Sequence, residues 1–155
     1  MGEMIIEKAR FPRLVVVGRR ERRSFAEMGR QIGALYGEAE ARRLRPAGAP
    51  FVVYFEKPVG TQSVDYGLYL PVTGSATATE GLEEIGGEEC YRVVWKGPYK
   101  GLAAVYEALS ARVEAEGRSL VAPPREVYGR GPLLGFLPFG LLTEIWYPIE
   151  AAKAE

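Results

Sequence analysis

The sequence predicts an α+β fold built from duplicated β-α-β-β units. Three observations predict it. Runs of β-branched and aromatic residues flank two segments whose apolar residues recur at helical spacing. The order strand, helix, strand, strand occurs twice. Short motifs also recur between the halves: Leu68-Tyr69-Leu70-Pro71-Val72 beside Ile145-Trp146-Tyr147-Pro148-Ile149, Val52-Val53-Tyr54 beside Glu126-Val127-Tyr128, and Val17-Gly18 beside Lys96-Gly97. Neither unit hides a helix-facing sheet well alone. Together they would form one antiparallel-rich sheet with two helices on one face and a cleft-bearing opposite face.

Arg13 to Gly18 reads as a strand, with Met4-Ile5-Ile6 as its start and Pro12 as a bend or edge position. Ser24-Phe25-Ala26-Glu27 has the form of a capping box. Behind it Phe25, Met28, Ile32, Leu35, Tyr36 and Ala39 make one helix face running to about Arg43, ended by Pro46 and Gly48. Phe51 to Glu56 and Asp65 to Val72 are strands joined by a turn at Lys57-Pro58-Val59-Gly60, followed by a small, polar loop from Thr73 to Thr79. A short edge strand falls around Leu82 to Ile85. Cys90 to Lys96 is a strand with Tyr91, Val93 and Trp95 on one face. Leu102, Val105, Tyr106, Leu109 and Val113 define a second helix face, with Gly117 as its C-terminal stop. Glu126 to Gly129 and Thr143 to Ile149 close the pattern. The repeats span about 4–72 and about 90–150 of a single 155-residue domain.

Composition excludes several functions. Twenty basic and twenty acidic residues cancel, which argues against nonspecific nucleic-acid binding. There is no His, so imidazole acid–base chemistry and His-ligated metals are ruled out. One thiol, Cys90, builds neither an internal disulfide nor a zinc site, and suits a reducing cytoplasm. No cofactor and no metal are expected. No apolar run is long enough to span a bilayer, and Met1 to Arg10 lacks a signal-peptide core. Arg19, Arg20, Arg22 and Arg23, with Arg42, Arg43 and Arg45, read as solvated surface.

Two strands place a carboxylate among aromatics. Side chains alternate along a strand, so Glu126 shares a face with Tyr128, and Glu144 shares one with Trp146 and Pro148. A strand Glu normally faces water. On a core face its charge would cost several kcal/mol unless paired or protonated. Lining a pocket, it would hold a delocalised cation, to which aromatic faces add about 0.5–2 kcal/mol. Tyr54, Tyr66, Tyr69, Tyr91 and Tyr128 are candidate walls, although for each alone ordinary core or edge packing is the commoner role. The run from Leu133 to Leu141 is apolar for a loop: Leu133, Leu134, Phe136, Leu137 and Phe139 fit a lid, a contact with a second copy or protein partner, or packing on the domain's own core.

Several segments resemble the GyrI-like effector-binding domains, ligand-binding halves of multidrug-responsive bacterial transcription activators. Lys96-Gly97-Pro98-Tyr99 with Leu102 and Tyr106-Glu107-Ala108-Leu109 resembles that family's "GPY" segment and the helix after it. Pro124 to Tyr128 resembles its "P..E.Y" segment, Thr143 to Ile149 its closing "TEIYIPI" strand, and Asp65 to Val72 its "DY…PV" strand. The order is the family's, over most of the chain. The resemblance implies a SOUL-like duplicated fold with a ligand cleft at the pseudo-twofold. It implies a lipophilic small-molecule ligand, cationic or aromatic, and maps Glu126, Glu144 and Trp146 to ligand-contacting positions; with the wall candidates Tyr128, Tyr54 and Tyr66 from the strand pattern, these are the expected ligand-binding residues. It also admits a hydrolase of strained cyclopropane-bearing compounds, with Glu126 or Glu144 as base, and a gyrase-inhibitor type of protein contact. The chain departs from the pattern at Trp95-Lys96, where the family has a histidine, in the apolar loop, and in having no residues left for a helix-turn-helix. The expectation is therefore a free-standing binding or sensing domain without direct nucleic-acid or membrane contact.

Overall fold

Alternation and helical periodicity are realised in the order the sequence predicts. The computed structural model describes residues 4–56, 63–97, 101–130 and 142–150. Among them the elements are β1 (Ile6–Arg10), β2 (Leu14–Arg23), α1 (Met28–Ala41), β3 (Arg45–Pro46), β4 (Phe51–Tyr54), β5 (Val64–Thr73), β6 (Glu83–Ile85), β7 (Glu89–Lys96), α2 (Leu102–Ala115), β8 (Arg125–Arg130) and β9 (Leu142–Pro148). Neither helix is long and apolar enough to cross a membrane. The expected turn at Lys57 to Gly60, the Pro98-Tyr99 part of the "GPY" motif and the Leu133 to Leu141 run lie outside the described residues, as does the side chain of Phe25.

The residues form two compact units. One holds Pro12–Gly86; the other joins the segment ending at Phe11 to the segment beginning at Gly87. In the first, antiparallel strands run β6-β2-β5-β4, with β3 added against β5. Helix α1 lies against β5 and β2 and buries Met28, Ile32, Leu35 and Ala39, the stripe its spacing predicts, while Tyr36 stays exposed. In the second, antiparallel strands run β1-β7-β9-β8. Leu102, Val105, Leu109 and Val113 of α2 pack on Tyr91, Val93, Ile145 and Ile149. Burying such side chains contributes about 1.5–3 kcal/mol each and fixes which sheet face meets the helix.

One expectation is corrected. Met4-Ile5-Ile6 does not begin β2. It leads into β1, which pairs with β7 in the unit formed by the second repeat. β6, the strand just before the second repeat, pairs with β2 of the first. Each repeat thus lends its leading strand to the other unit. Pro12, which has no N–H, ends the β1 ladder. Phe11 is then anchored by its backbone N–H donating to Glu88 O at 3.0 Å and its carbonyl accepting from Gly87 N at 2.8 Å.

The capping box forms in part. Glu27 reaches back to the Ser24 N–H at 3.3 Å, but the Ser24 hydroxyl meets that same carboxylate at 3.4 Å instead of a backbone N–H. Residues 25–27 therefore make a 3-10 turn, and α1 starts at Met28.

The two helices end alike. Leu44 N–H bonds Ala39 O and Arg43 N–H bonds Glu40 O; Arg118 N–H bonds Val113 O and Gly117 N–H bonds Glu114 O. The left-handed residue is Gly117 (φ 65°) after α2 and Arg43 (φ 58°) after α1. A side chain in that conformation costs roughly 1–2 kcal/mol. Arg43→Gly should raise stability by about 1 kcal/mol, and Gly117→Ala should lower it by a similar amount, both read from urea unfolding midpoints.

Three arginines of β2 pair at the surface, Arg19 with Glu38, Arg20 with Asp65 and Arg22 with Glu56, but Arg23 corrects the expectation of a solvated side chain: it is buried, stacks over Tyr66 and pairs with Glu21. Cys90 is fully buried, and burial pushes its thiol up to about 11. Burial, followed by the nearby Glu116 carboxylate, pushes the adjacent Tyr91 phenol up to about 12. Above about pH 8.5 an unfolded thiol releases its proton while the folded one keeps it. The unfolded state then binds fewer protons, and stability falls with rising pH. Unfolding midpoints between pH 7 and 10.5 should therefore decline, and Cys90→Ala should flatten the start of that decline.

Candidate functional site

β9 decides which predicted residues meet. Its neighbours place Val93, Ile145 and Glu126 in one row, and Trp95, Thr143 and Tyr128 in the next. Ile145 and Val93 pack on α2, so both rows face the helix. The alternate positions lie on the other face, where Glu144 stands between Val94 and Val127, and Trp146 between Arg92 and Arg125. The structure therefore brings Glu126 together with Tyr128, and Glu144 together with Trp146. It places the two pairs on opposite faces of one sheet.

On the helix face, Glu126 is 5% exposed. Both of its oxygens accept phenol hydrogen bonds: Oε2 from Tyr106 of α2 at 2.6 Å, and Oε1 from Tyr128 at 2.9 Å. Charge-assisted bonds of this kind are worth about 1.5–3 kcal/mol each. The Trp95 indole lies over the start of α2, where Gly101 makes room; a β-carbon there would sit 2.2 Å from the ring. Carboxylate, one phenol and an indole thus occupy two neighbouring rows under α2, and the helix supplies the second phenol. The spacing places Tyr106 on the apolar helix face and carries no signal for its hydroxyl. Its partner lies 20 residues away, beyond any periodicity.

On the opposite face, Glu144 is held by a cation of the fold itself. Its Oε1 accepts from Arg92 Nε at 3.0 Å and from Trp146 Nε1 at 3.0 Å. Arg92 also pairs with Glu7 and lies 5.3 Å from the Trp146 ring centre. Phe11 meets Trp146 edge-on at 5.1 Å, and Arg125 stacks over Phe11 while binding Glu88 through two bonds of 2.9 and 2.6 Å. This face is a layer of interlocked ion pairs and rings. The sequence indicates its residue types but not the register that sets Arg92 beside Glu144.

Tyr54 and Tyr66 belong to the Pro12–Gly86 unit. They face each other across β4 and β5, with ring centres 6.3 Å apart. Tyr66 is fully buried and its hydroxyl donates to Ser24 O at 3.0 Å. Register also identifies the counterpart of Glu126. Val52 faces Leu68 just as Glu126 faces Ile145, so with Leu68 set on Ile145, Val52 falls on Glu126 and Tyr54 on Tyr128. The carboxylate is thus a departure from the repeat. The same register sets Gly18 on Arg92, which corrects the alignment of Val17-Gly18 with Lys96-Gly97.

No protein-family model and no curated protein matches the chain. Solved structures do match. EcmrR in a DNA complex superposes with a TM-score of 0.82 at 24% identity, over 96% of this chain and 58% of that one. The crystal structure of the EcmrR C-terminal domain gives 0.78 at 22%, over 97% and 98% of the two chains. A hydrolase from Listeria innocua gives 0.70 at 11%, over 94% and 91%. SAV2435 bound to tetraphenylphosphonium gives 0.58 at 15%, over 94% of each chain. The chain has the fold of the EcmrR C-terminal domain and spans 58% of the EcmrR chain seen with DNA.

Tyr106→Phe removes one donor from a buried carboxylate. It should lower stability by about 1.5–3 kcal/mol in urea unfolding, against no measurable change for Tyr36→Phe on the exposed side of α1.

Proposed function

We propose that this chain is a small-molecule binding or sensing domain of the GyrI-like effector-binding type, and that Glu126 is the counter-charge for a lipophilic cation. The observation that carries this is the Glu126 carboxylate, 5% exposed beneath α2 and gripped by the hydroxyls of Tyr106 and Tyr128. A buried acid costs the fold free energy unless hydrogen bonds or an opposite charge compensate it, and here two phenols do so in part. The aromatic groups around it would offer their faces to a delocalised cation. A cation reaches the carboxylate only as Tyr106, the covering group from the helix, gives way, exchanging a phenol bond for an ion pair. The motif segments, the fold shared with the EcmrR C-terminal domain, and the tetraphenylphosphonium bound to SAV2435 support this function.

The geometry favours a hydrolase less. A general base needs a water within hydrogen-bond reach, and Glu126 is 5% exposed with a phenol on each oxygen, so burial rather than acceptor capacity works against it.

Calorimetric titration with tetraphenylphosphonium and with neutral triphenylphosphine oxide tests the proposal. The cation should bind the wild type, and Glu126→Gln should weaken it about tenfold or more, equivalent to about 1.4 kcal/mol. Affinity for the neutral compound should not change. Equal binding of both compounds, untouched by Glu126→Gln, would overturn the proposal.

A further inference from the structure

Next to Glu126 the fold leaves one polar group over. Thr143 is fully buried, and its Oγ1 has no hydrogen-bond partner among the described residues. Buried polar groups in native proteins are nearly always bonded, so an exception calls for an explanation. An apolar side chain of the same shape would remove the cost.

Its position supplies the explanation. Thr143 lies two residues from Ile145 on the strand face that meets α2. It pairs with Trp95 on one side and with Tyr128 on the other, and the Tyr128 hydroxyl turns to Glu126 at 2.9 Å. Diagonal neighbours across such a ladder lie about 7–8 Å apart, which sets the separation of Thr143 from Glu126. Charge, ring faces and an unspent hydroxyl therefore stand within the span of one substituted aromatic ring.

We propose that Thr143 determines specificity by hydrogen bonding to the ligand. The ligand class is then an aromatic cation carrying a hydroxyl, amino or carbonyl group about one ring away from its positive centre, rather than a pure hydrocarbon cation. This rests on Glu126 being the counter-charge. A site that hydrogen-bonds its ligand discriminates strongly against the analogue lacking that group, because its own polar atom is then left unpaired.

The test uses tetraphenylphosphonium and the three ring isomers of (hydroxyphenyl)triphenylphosphonium, which differ from it by one hydroxyl. The wild type should bind at least one isomer about fivefold tighter than the parent cation. Thr143→Val should erase that preference while keeping the affinity for tetraphenylphosphonium, and should melt no lower than wild type without ligand. Thr143→Ser should retain the preference. Glu126→Gln should weaken all four probes together. No preference in the wild type, or one that survives Thr143→Val, overturns the role of Thr143 and leaves the cation site standing. Unchanged binding of all four probes in Glu126→Gln overturns the cation site, and this proposal with it.

Discussion

A carboxylate kept out of water between a strand and a helix is the constraint on which this structure turns. Glu126 sits where its repeat counterpart, Val52, simply fills a core. Two phenols make the charge tolerable. Tyr128 comes from the same strand and Tyr106 from α2, so the helix is tied to the sheet through the acid as well as through Leu109 and Val105. A bond at the centre of such a layer couples whatever happens at the acid to the seating of the helix. That coupling is what a sensing domain needs, because a ligand changes a protein only through its differential interaction with two states.

Duplication explains the frame, and departures from it mark the specialised positions. The units share strand order, helix placement and helix-ending hydrogen bonds, and each takes its edge strand from the other repeat. Against that symmetry, Glu126 replaces an apolar residue, and Arg43 occupies a left-handed position that Gly117 fills in the other half. The first change adds a charge to a core, and the second accepts backbone strain at a surface. Both lie beyond what the shared fold requires.

Much of this was legible in the residues, and the physical reason is locality. The stripe from Met28 to Ala39 and the one from Leu102 to Val113 are set by helical periodicity, and both appear as read. Glu126 and Tyr128 share a face because strands alternate. What depends on pairing partners was hidden. No local signal tells β1 to join β7, or sets Arg92 beside Glu144, or aims the Tyr106 hydroxyl at an acid 20 residues away. The Thr143 hydroxyl is the extreme case, since a missing partner leaves no trace in a sequence. Resemblance to the GyrI-like domains named both glutamates; geometry separates them, giving Glu144 to an ion pair of the fold and leaving Glu126 under the helix.

The most direct measurement is a crystal structure of the protein with tetraphenylphosphonium bound. The account predicts the phosphonium centre within about 6 Å of the Glu126 carboxylate, with the Tyr106 hydroxyl withdrawn from Oε2 and the Arg92–Glu144 pair intact. A cation bound elsewhere, with Glu126 still holding both phenols, would contradict it.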